Sequence, residues 1–126
     1  MSYNVLYIAL GGAIGAVGRY AVVSAVGALG HGFPYGTLVV NILGSAILGG
    51  LVEVFALYWS PSQELRAMIV VGMLGAFTTF STFSLDVVTL FNRGEAVLAF
   101  AYVIASVVLS VGAFWLGMSI MRQILT

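Results

Sequence analysis

Four long apolar segments make up nearly the whole chain and leave room for little besides membrane-spanning helices. They cover residues 5–29, 35–59, 65–91 and 96–121, and each exceeds the ~20 residues that a helix needs to cross the hydrocarbon core. Of the 126 residues, 62% are hydrophobic and 6% are charged, and a soluble domain could not bury so much apolar surface. The sequence therefore predicts an all-α integral membrane protein with a single transmembrane domain, residues 1–126.

The connections between the segments are short, so consecutive helices must pack as antiparallel neighbours. Turn-forming residues occupy 30–34 and 92–95, and we expect residues 60–63 to form a capping box with Ser60 as N-cap. Both termini and the loop around Ser60 then lie on one side of the membrane. The loops around His31 and Arg93 lie on the other side.

Composition excludes several functional classes. The chain has no cysteine and one histidine, His31, so it offers neither thiol chemistry nor a multi-histidine metal site. A net charge of zero without a basic tail argues against nucleic-acid partners. No carboxylate pair or activated nucleophile is apparent, so we expect no enzyme. The first residues lack the positive region of a signal peptide, and we interpret the first apolar segment as a permanent span.

The arginines are balanced between the two sides. Arg66 and Arg122 belong to the side of the termini, Arg93 and Arg19 to the other, and the chain has no lysine. Orientation in the membrane follows the Lys/Arg bias between loops, and this chain has no such bias. We therefore predict dual topology, in which oppositely inserted copies pair as an antiparallel homodimer.

The third segment contains a polar stretch, residues 72–84. It carries five hydroxyl side chains, two glycines, and the phenylalanines Phe77, Phe80 and Phe83 at intervals of three. At membrane depth such a composition indicates helix packing, a broken helix or a path for a polar solute.

Other polar residues extend this pattern to the neighbouring spans. Asn41 is either an interhelical hydrogen-bonding residue or an amide donor facing a hydrated path, and Thr37 lies one turn earlier. Tyr102, Ser106 and Ser110 recur every four residues, which places three hydroxyls on one helix face.

Five further residues have less distinctive interpretations. Arg19 is either a snorkelling anchor or a positive charge at the mouth of an anion path. Glu53 is expected as an interfacial anchor, and Asp86 as the partner of an arginine. Gly11 and Gly15, at GxxxG spacing, indicate close helix packing.

Hydroxyl and amide donors with few carboxylates suit a small anion better than a cation. The edge of a phenyl ring is positive, so Phe80 and Phe83 could also present ring edges to an anion.

Three stretches resemble the signature segments of the Fluc (CrcB-type) fluoride channels: Gly18 to Tyr20, Gly36 to Asn41, and Gly75 to Ser84, which reads GAFTTFSTFS. The resemblance extends over the full length in span number, loop spacing and size. It implies a dual-topology antiparallel homodimer with two pores that exports fluoride passively across the cell (inner) membrane and so reduces fluoride toxicity.

The resemblance also implies roles for individual residues. The third helix would break around Gly75 to Thr79, and the carbonyls of Gly75 and Thr78 from both subunits would hold a structural sodium ion. Arg19 falls at the family's basic position near the vestibule. Ala76 and Asp86 depart from a frequent glycine and a frequent glutamate. The expected pore-lining residues are Asn41, Phe80, Phe83, Ser81, Thr82, Tyr102, Ser106 and Ser110, to which we add Thr37 beside Asn41.

Two alternatives to a fluoride channel come from other classes. A proton-coupled exporter similar to the small multidrug resistance proteins would have four short spans, but its coupling glutamate lies in the first span, where this chain has only Arg19. A purely structural membrane subunit would explain the glycines but not the aligned hydroxyls.

Overall fold

The computed structural model describes residues 2–28, 30 and 32–126, so His31 lies outside the described residues. Helix α1 covers Ser2–Gly27, α2 covers Tyr35–Leu57 and the last helix covers Ala96–Leu125. Together with the segment Gln63–Asn92, these are four helices long and apolar enough to cross a membrane. This confirms the prediction of a multi-pass, all-α membrane protein.

The third segment consists of four pieces rather than one helix. Helix α3 (Gln63–Arg66) continues into a π-helix (Ala67–Leu74) and a short α4 (Gly75–Phe77), and α5 (Ser81–Asn92) follows after a break. The break lies at residues 78–80, where Thr78 is extended with φ −86° and ψ 161°. Gly75, within the predicted range of 75–79, is still helical with φ −61° and ψ −38°.

The start of α3 differs from the predicted capping box. Ser62, and not Ser60, is the N-cap, and its Oγ accepts a hydrogen bond from the Leu65 amide at 3.2 Å. The extended backbone of Ser62, with ψ 159°, is the conformation in which a serine hydroxyl reaches the third amide of the helix. The prediction of Ser60 as N-cap was therefore wrong by two residues.

The turn between α5 and the last helix, α6 (Ala96–Leu125), depends on Gly94. This residue has φ +80°, a left-handed conformation that glycine adopts without strain. The Glu95 amide donates to Leu90 O at 3.0 Å and the Gly94 amide donates to Phe91 O at 3.1 Å. This pair of bonds is a Schellman motif, and it confirms the predicted tight turn.

Helices α2 and α6 pack backbone to backbone. A Cβ at Gly49 would overlap Phe114 O, and a Cβ at Gly117 would overlap Ala46 O. At the end of this interface Arg122 Nη2 lies 2.7 Å from Glu53 Oε1. Glu53 is buried and ion-paired, so α6 supplies it with a partner that the sequence of α2 alone does not reveal.

Candidate functional site

The break in the third segment is held by the side chain of Asn41. The Thr79 amide donates to Asn41 Oδ1 at 2.9 Å, and Asn41 Nδ2 donates to Thr79 O at 3.0 Å. One carboxamide thus satisfies both backbone polar groups of Thr79, which have left the helical pattern. Because unpaired backbone groups are expensive at membrane depth, this pair of bonds makes the break tolerable. Of the two roles considered for Asn41, the geometry supports interhelical hydrogen bonding.

Threonine hydroxyls on both sides of the break form hydrogen bonds with nearby backbone groups. Thr78 Oγ1 donates to Leu74 O at 3.0 Å, at the end of α4. Thr79 Oγ1 accepts from the Thr82 amide at 3.2 Å, at the start of α5. Of these two hydroxyls, that of Thr79 therefore acts as a helix cap, whereas that of Thr78 adds a second bond to a carbonyl that already accepts from the Thr78 amide.

The same bonds free two backbone carbonyls. In a continuous helix Gly75 O would accept from the Thr79 amide and Thr78 O from the Thr82 amide. Those amides donate instead to Asn41 Oδ1 and to Thr79 Oγ1. Gly75 and Thr78, the two residues that the resemblance associates with sodium, are thus among the residues whose carbonyls lose their helical donors.

A cavity of about 430 Å³ lies beside the break. It brings together five of the predicted pore-lining residues with both predicted sodium ligands. Its lining includes Asn41, Gly75, Thr78, Phe80, Phe83, Ser106 and Ser110. We call it the main cavity.

Two serine hydroxyls at the main cavity are unpaired. Ser106 Oγ and Ser110 Oγ are buried and have no hydrogen-bond partner among the described residues. A serine inside a span usually bonds the carbonyl one turn earlier, and a buried unsatisfied hydroxyl costs roughly 1–3 kcal/mol. These two groups therefore have unused hydrogen-bonding capacity beside the main cavity.

Aromatic rings form a contiguous row that begins at the main cavity with Phe80 and Phe83 and continues to the buried Tyr102. The centroids of Phe80 and Phe83 are 5.5 Å apart, and those of Phe83 and Tyr102 are 5.1 Å apart. Phe77 does not join this row. A Cβ at Gly18 would lie 3.6 Å from Phe77 Cδ1 and one at Gly44 would lie 3.4 Å from Phe77 Cδ2, so this ring packs between α1 and α2.

A second cavity, of about 200 Å³, lies on the other side of the break. It is lined by Arg19, Thr37, Thr79 and Thr82, among others, and Arg19 Nη1 donates to Thr82 Oγ1 at 3.5 Å. Thr37 therefore shares this second cavity with Arg19 and not the main cavity with Asn41.

Two predicted residues line neither cavity. Ser81 is exposed at the start of α5. Tyr102 is fully buried, and its hydroxyl donates to Asp86 Oδ2 at 3.0 Å. Asp86, expected to pair with an arginine, therefore has a tyrosine partner within the chain.

Thr79 is the residue that sequence reasoning undervalued. It bonds Asn41 and Thr82 and lines both cavities. The hydroxyl-rich stretch contained it, but composition alone gave no reason to distinguish it from the other threonines.

Comparison with known proteins identifies the family. A family model described as "CrcB-like protein, Camphor Resistance (CrcB)" matches residues 6–118. The chain belongs to this family. It is 51% identical to the fluoride-specific ion channel FluC of Chelativorans sp. (strain BNC1), over 98% of this chain and 99% of that protein. It is 50% identical to FluC of Nitrobacter winogradskyi, over 95% and 96% of the two chains, and 48% identical to FluC of Agrobacterium fabrum, over 96% and 98%.

Replacing Asn41 tests its role at the break. In Asn41→Ala both backbone groups of Thr79 lose their partners, and we expect the free energy of unfolding in detergent to fall by about 1–3 kcal/mol as transport is lost. Asn92→Ala, at an exposed position, serves as the control. If Asn41→Ala lost transport at unchanged stability, Asn41 would act on the solute rather than on the break.

Proposed function

We propose that the protein is a fluoride-selective channel and that fluoride passes through the main cavity. The observation that carries this proposal is the pair of unpaired hydroxyls, Ser106 and Ser110, facing the same space as the rings of Phe80 and Phe83. Hydroxyl donors and positive ring edges replace the water shell of a small anion. The relatives' names, fluoride-specific ion channel, agree with this chemistry.

Passive conduction is sufficient for the task. A weak acid such as HF enters a cell in neutral form and dissociates inside, which traps the anion. A negative-inside potential contributes about 2.3 kcal/mol per 100 mV for moving one charge outward, so a path in the inner membrane lowers internal fluoride without a coupled energy source.

The alternative of a proton-coupled exporter requires a carboxylate that binds protons and substrate in turn. Glu53 would have to serve, because the first span has none. Its Oε1 lies 2.7 Å from Arg122 Nη2 at the end of the α2–α6 interface. This ion pair occupies the carboxylate. The channel therefore fits the described charges better than the exporter does.

Flux measurements in liposomes test the function directly. With fluoride- and chloride-selective electrodes, we expect rapid fluoride efflux without comparable chloride efflux and without need of a proton gradient. Phe80→Ile and Phe83→Ile should each reduce fluoride flux by about tenfold or more, that is about 1.4 kcal/mol per tenfold, because isoleucine keeps bulk and lacks a ring edge. Phe100→Ile, on the exposed face of α6, is the matched control. Unchanged flux in both cavity variants would refute the ring-edge contacts.

We further propose that two oppositely inserted copies form the working channel. The arginines are balanced between the two sides, and Phe80 is 77% exposed beside a cavity that the single chain leaves open. An antiparallel partner would cover both the exposed Phe80 ring and the open side of the main cavity.

Charge bias tests this topology. Lysines at Gln123 and Thr126 load one side of the membrane, and lysines at Gly32 and Asn92 load the other. We expect each biased chain to be inactive alone and the two to be active when co-expressed, since each supplies one orientation. Full activity of either biased chain alone would refute dual topology.

A structural sodium ion at the dimer centre fits the donor set. Oxygen ligands suit hard cations, and carbonyls freed by a helix break serve such ions in membrane proteins. Gly75 O and Thr78 O are two such carbonyls, and a second copy would double them. When bound, the ion would neutralise carbonyl dipoles at membrane depth and join the two broken helices.

Replacing sodium tests this site. In sodium-free buffer of equal ionic strength made with potassium or N-methylglucamine, we expect a lower melting temperature and dissociation of the dimer, both reversed by added sodium. Equal stability in all three cations would count against the site.

A further inference from the structure

The π-helix before the break is unusually long. π-Helical geometry occurs mostly as single-turn bulges inside α-helices, yet here it covers the eight residues Ala67–Leu74. Its hydrogen bonding carries on to Gly75, whose amide donates to Val70 O five positions earlier. Gly75, Thr78 and the break come directly after the π-helix in the chain. The π turns therefore set the direction in which the carbonyls of Gly75 and Thr78 face.

Helix α1 packs directly on the backbone of this π-helix. A Cβ at Gly11 would overlap Met68 O, and a Cβ at Gly15 would overlap Met73 O. From the other side, a Cβ at Gly72 would lie 2.6 Å from Ile8 O. Gly12, between the two α1 glycines, has nothing within 4 Å of its Cβ position.

The spacing of these contacts matches a π-helix and not an α-helix. Gly11 and Gly15 are four positions apart and lie on one face of α1. Met68 and Met73 are five positions apart, which in an α-helix corresponds to a rotation of about 500°, or about 140° away from alignment. A π turn, with hydrogen bonds from i to i+5, returns residues five apart to the same side.

We propose that Gly11 and Gly15 are positioning residues that hold the third segment in π register. This inference rests on the proposed function and adds to it a reason for the orientation of the break. A π turn takes up about one more residue than an α turn. Conversion of Ala67–Leu74 to an α-helix would therefore rotate α4 about its axis, withdraw Thr79 from Asn41 and turn the Gly75 carbonyl away from the main cavity.

Alanine substitutions with two controls test this proposal. Gly11→Ala and Gly15→Ala each place a methyl group against a π-helix carbonyl. Gly12→Ala adds the same methyl group in open space. Gly117→Ala creates an equivalent overlap with Ala46 O, in the α2–α6 interface away from the π-helix. The readouts are fluoride flux and amide hydrogen exchange at Thr79 and Thr82, whose amides bond Asn41 and Thr79 Oγ1.

We expect Gly11→Ala and Gly15→Ala to lose protection at these two amides and to reduce fluoride flux by about tenfold. Gly12→Ala should match the wild type. Gly117→Ala should lower thermal stability while the two amides stay protected, which separates positioning from general packing. Wild-type flux and protection in both α1 variants would overturn the proposal.

Two further outcomes distinguish failure of this proposal from failure of the proposed function or of folding. Absence of fluoride flux in the wild type would refute the proposed function, whereas the exchange readout would still test the register. If neither α1 variant folds, an experimental structure of the wild type decides: α-helical hydrogen bonding over residues 67–74 would overturn the proposal, and π-helical bonding with Gly11 and Gly15 on the Met68 and Met73 carbonyls would support it.

Discussion

The paired hydrogen bonds between Asn41 and Thr79 are the interaction on which the rest of the site depends. A helix can break inside a membrane only if the freed backbone groups find partners, since lipid offers none. Asparagine carries a donor and an acceptor in one plane, so a single side chain can match the amide and carbonyl of one residue. With that match made, α5 begins as a separate helix at Ser81, and Phe80 and Phe83 line the main cavity.

The break and the cavity chemistry are consequences of one another. Each amide drawn away from its helical acceptor leaves a carbonyl free, and these carbonyls, of Gly75 and Thr78, both belong to residues that line the main cavity. Across that space α6 presents the hydroxyls of Ser106 and Ser110, which have no hydrogen-bond partner in the described part of the chain. One cavity thus combines two kinds of groups. The side-chain hydroxyls are donors for an anion, and the backbone carbonyls are acceptors for a cation.

Some of this arrangement could be predicted from local patterns. Span number followed from segment length, the α5–α6 turn from Gly94, and a weakened third helix from glycines and hydroxyls in residues 72–84. The N-cap at Ser62 was missed because Ser60, with Gln63 three positions later, fits the capping-box pattern, whereas Ser62 has Leu65 at that position. The π-helix was missed because its register depends on contacts with Gly11 and Gly15 of another helix, which no local propensity encodes.

The sequence by itself determined that the protein is a four-span membrane protein, and it determined the available chemistry: hydroxyls, the amide of Asn41 within a span, aromatic rings and balanced arginines. These properties follow from composition and from the spacing of residues within one or two helical turns, so they do not depend on how the helices pack. Only the tertiary structure decided how that chemistry is divided. Asn41 bonds Thr79, 38 positions away, and Thr37 and Arg19 line the second cavity. Phe77 packs between α1 and α2 and not in the row of rings. Such assignments depend on how helices cross, and crossing geometry is set by backbone contacts between helices.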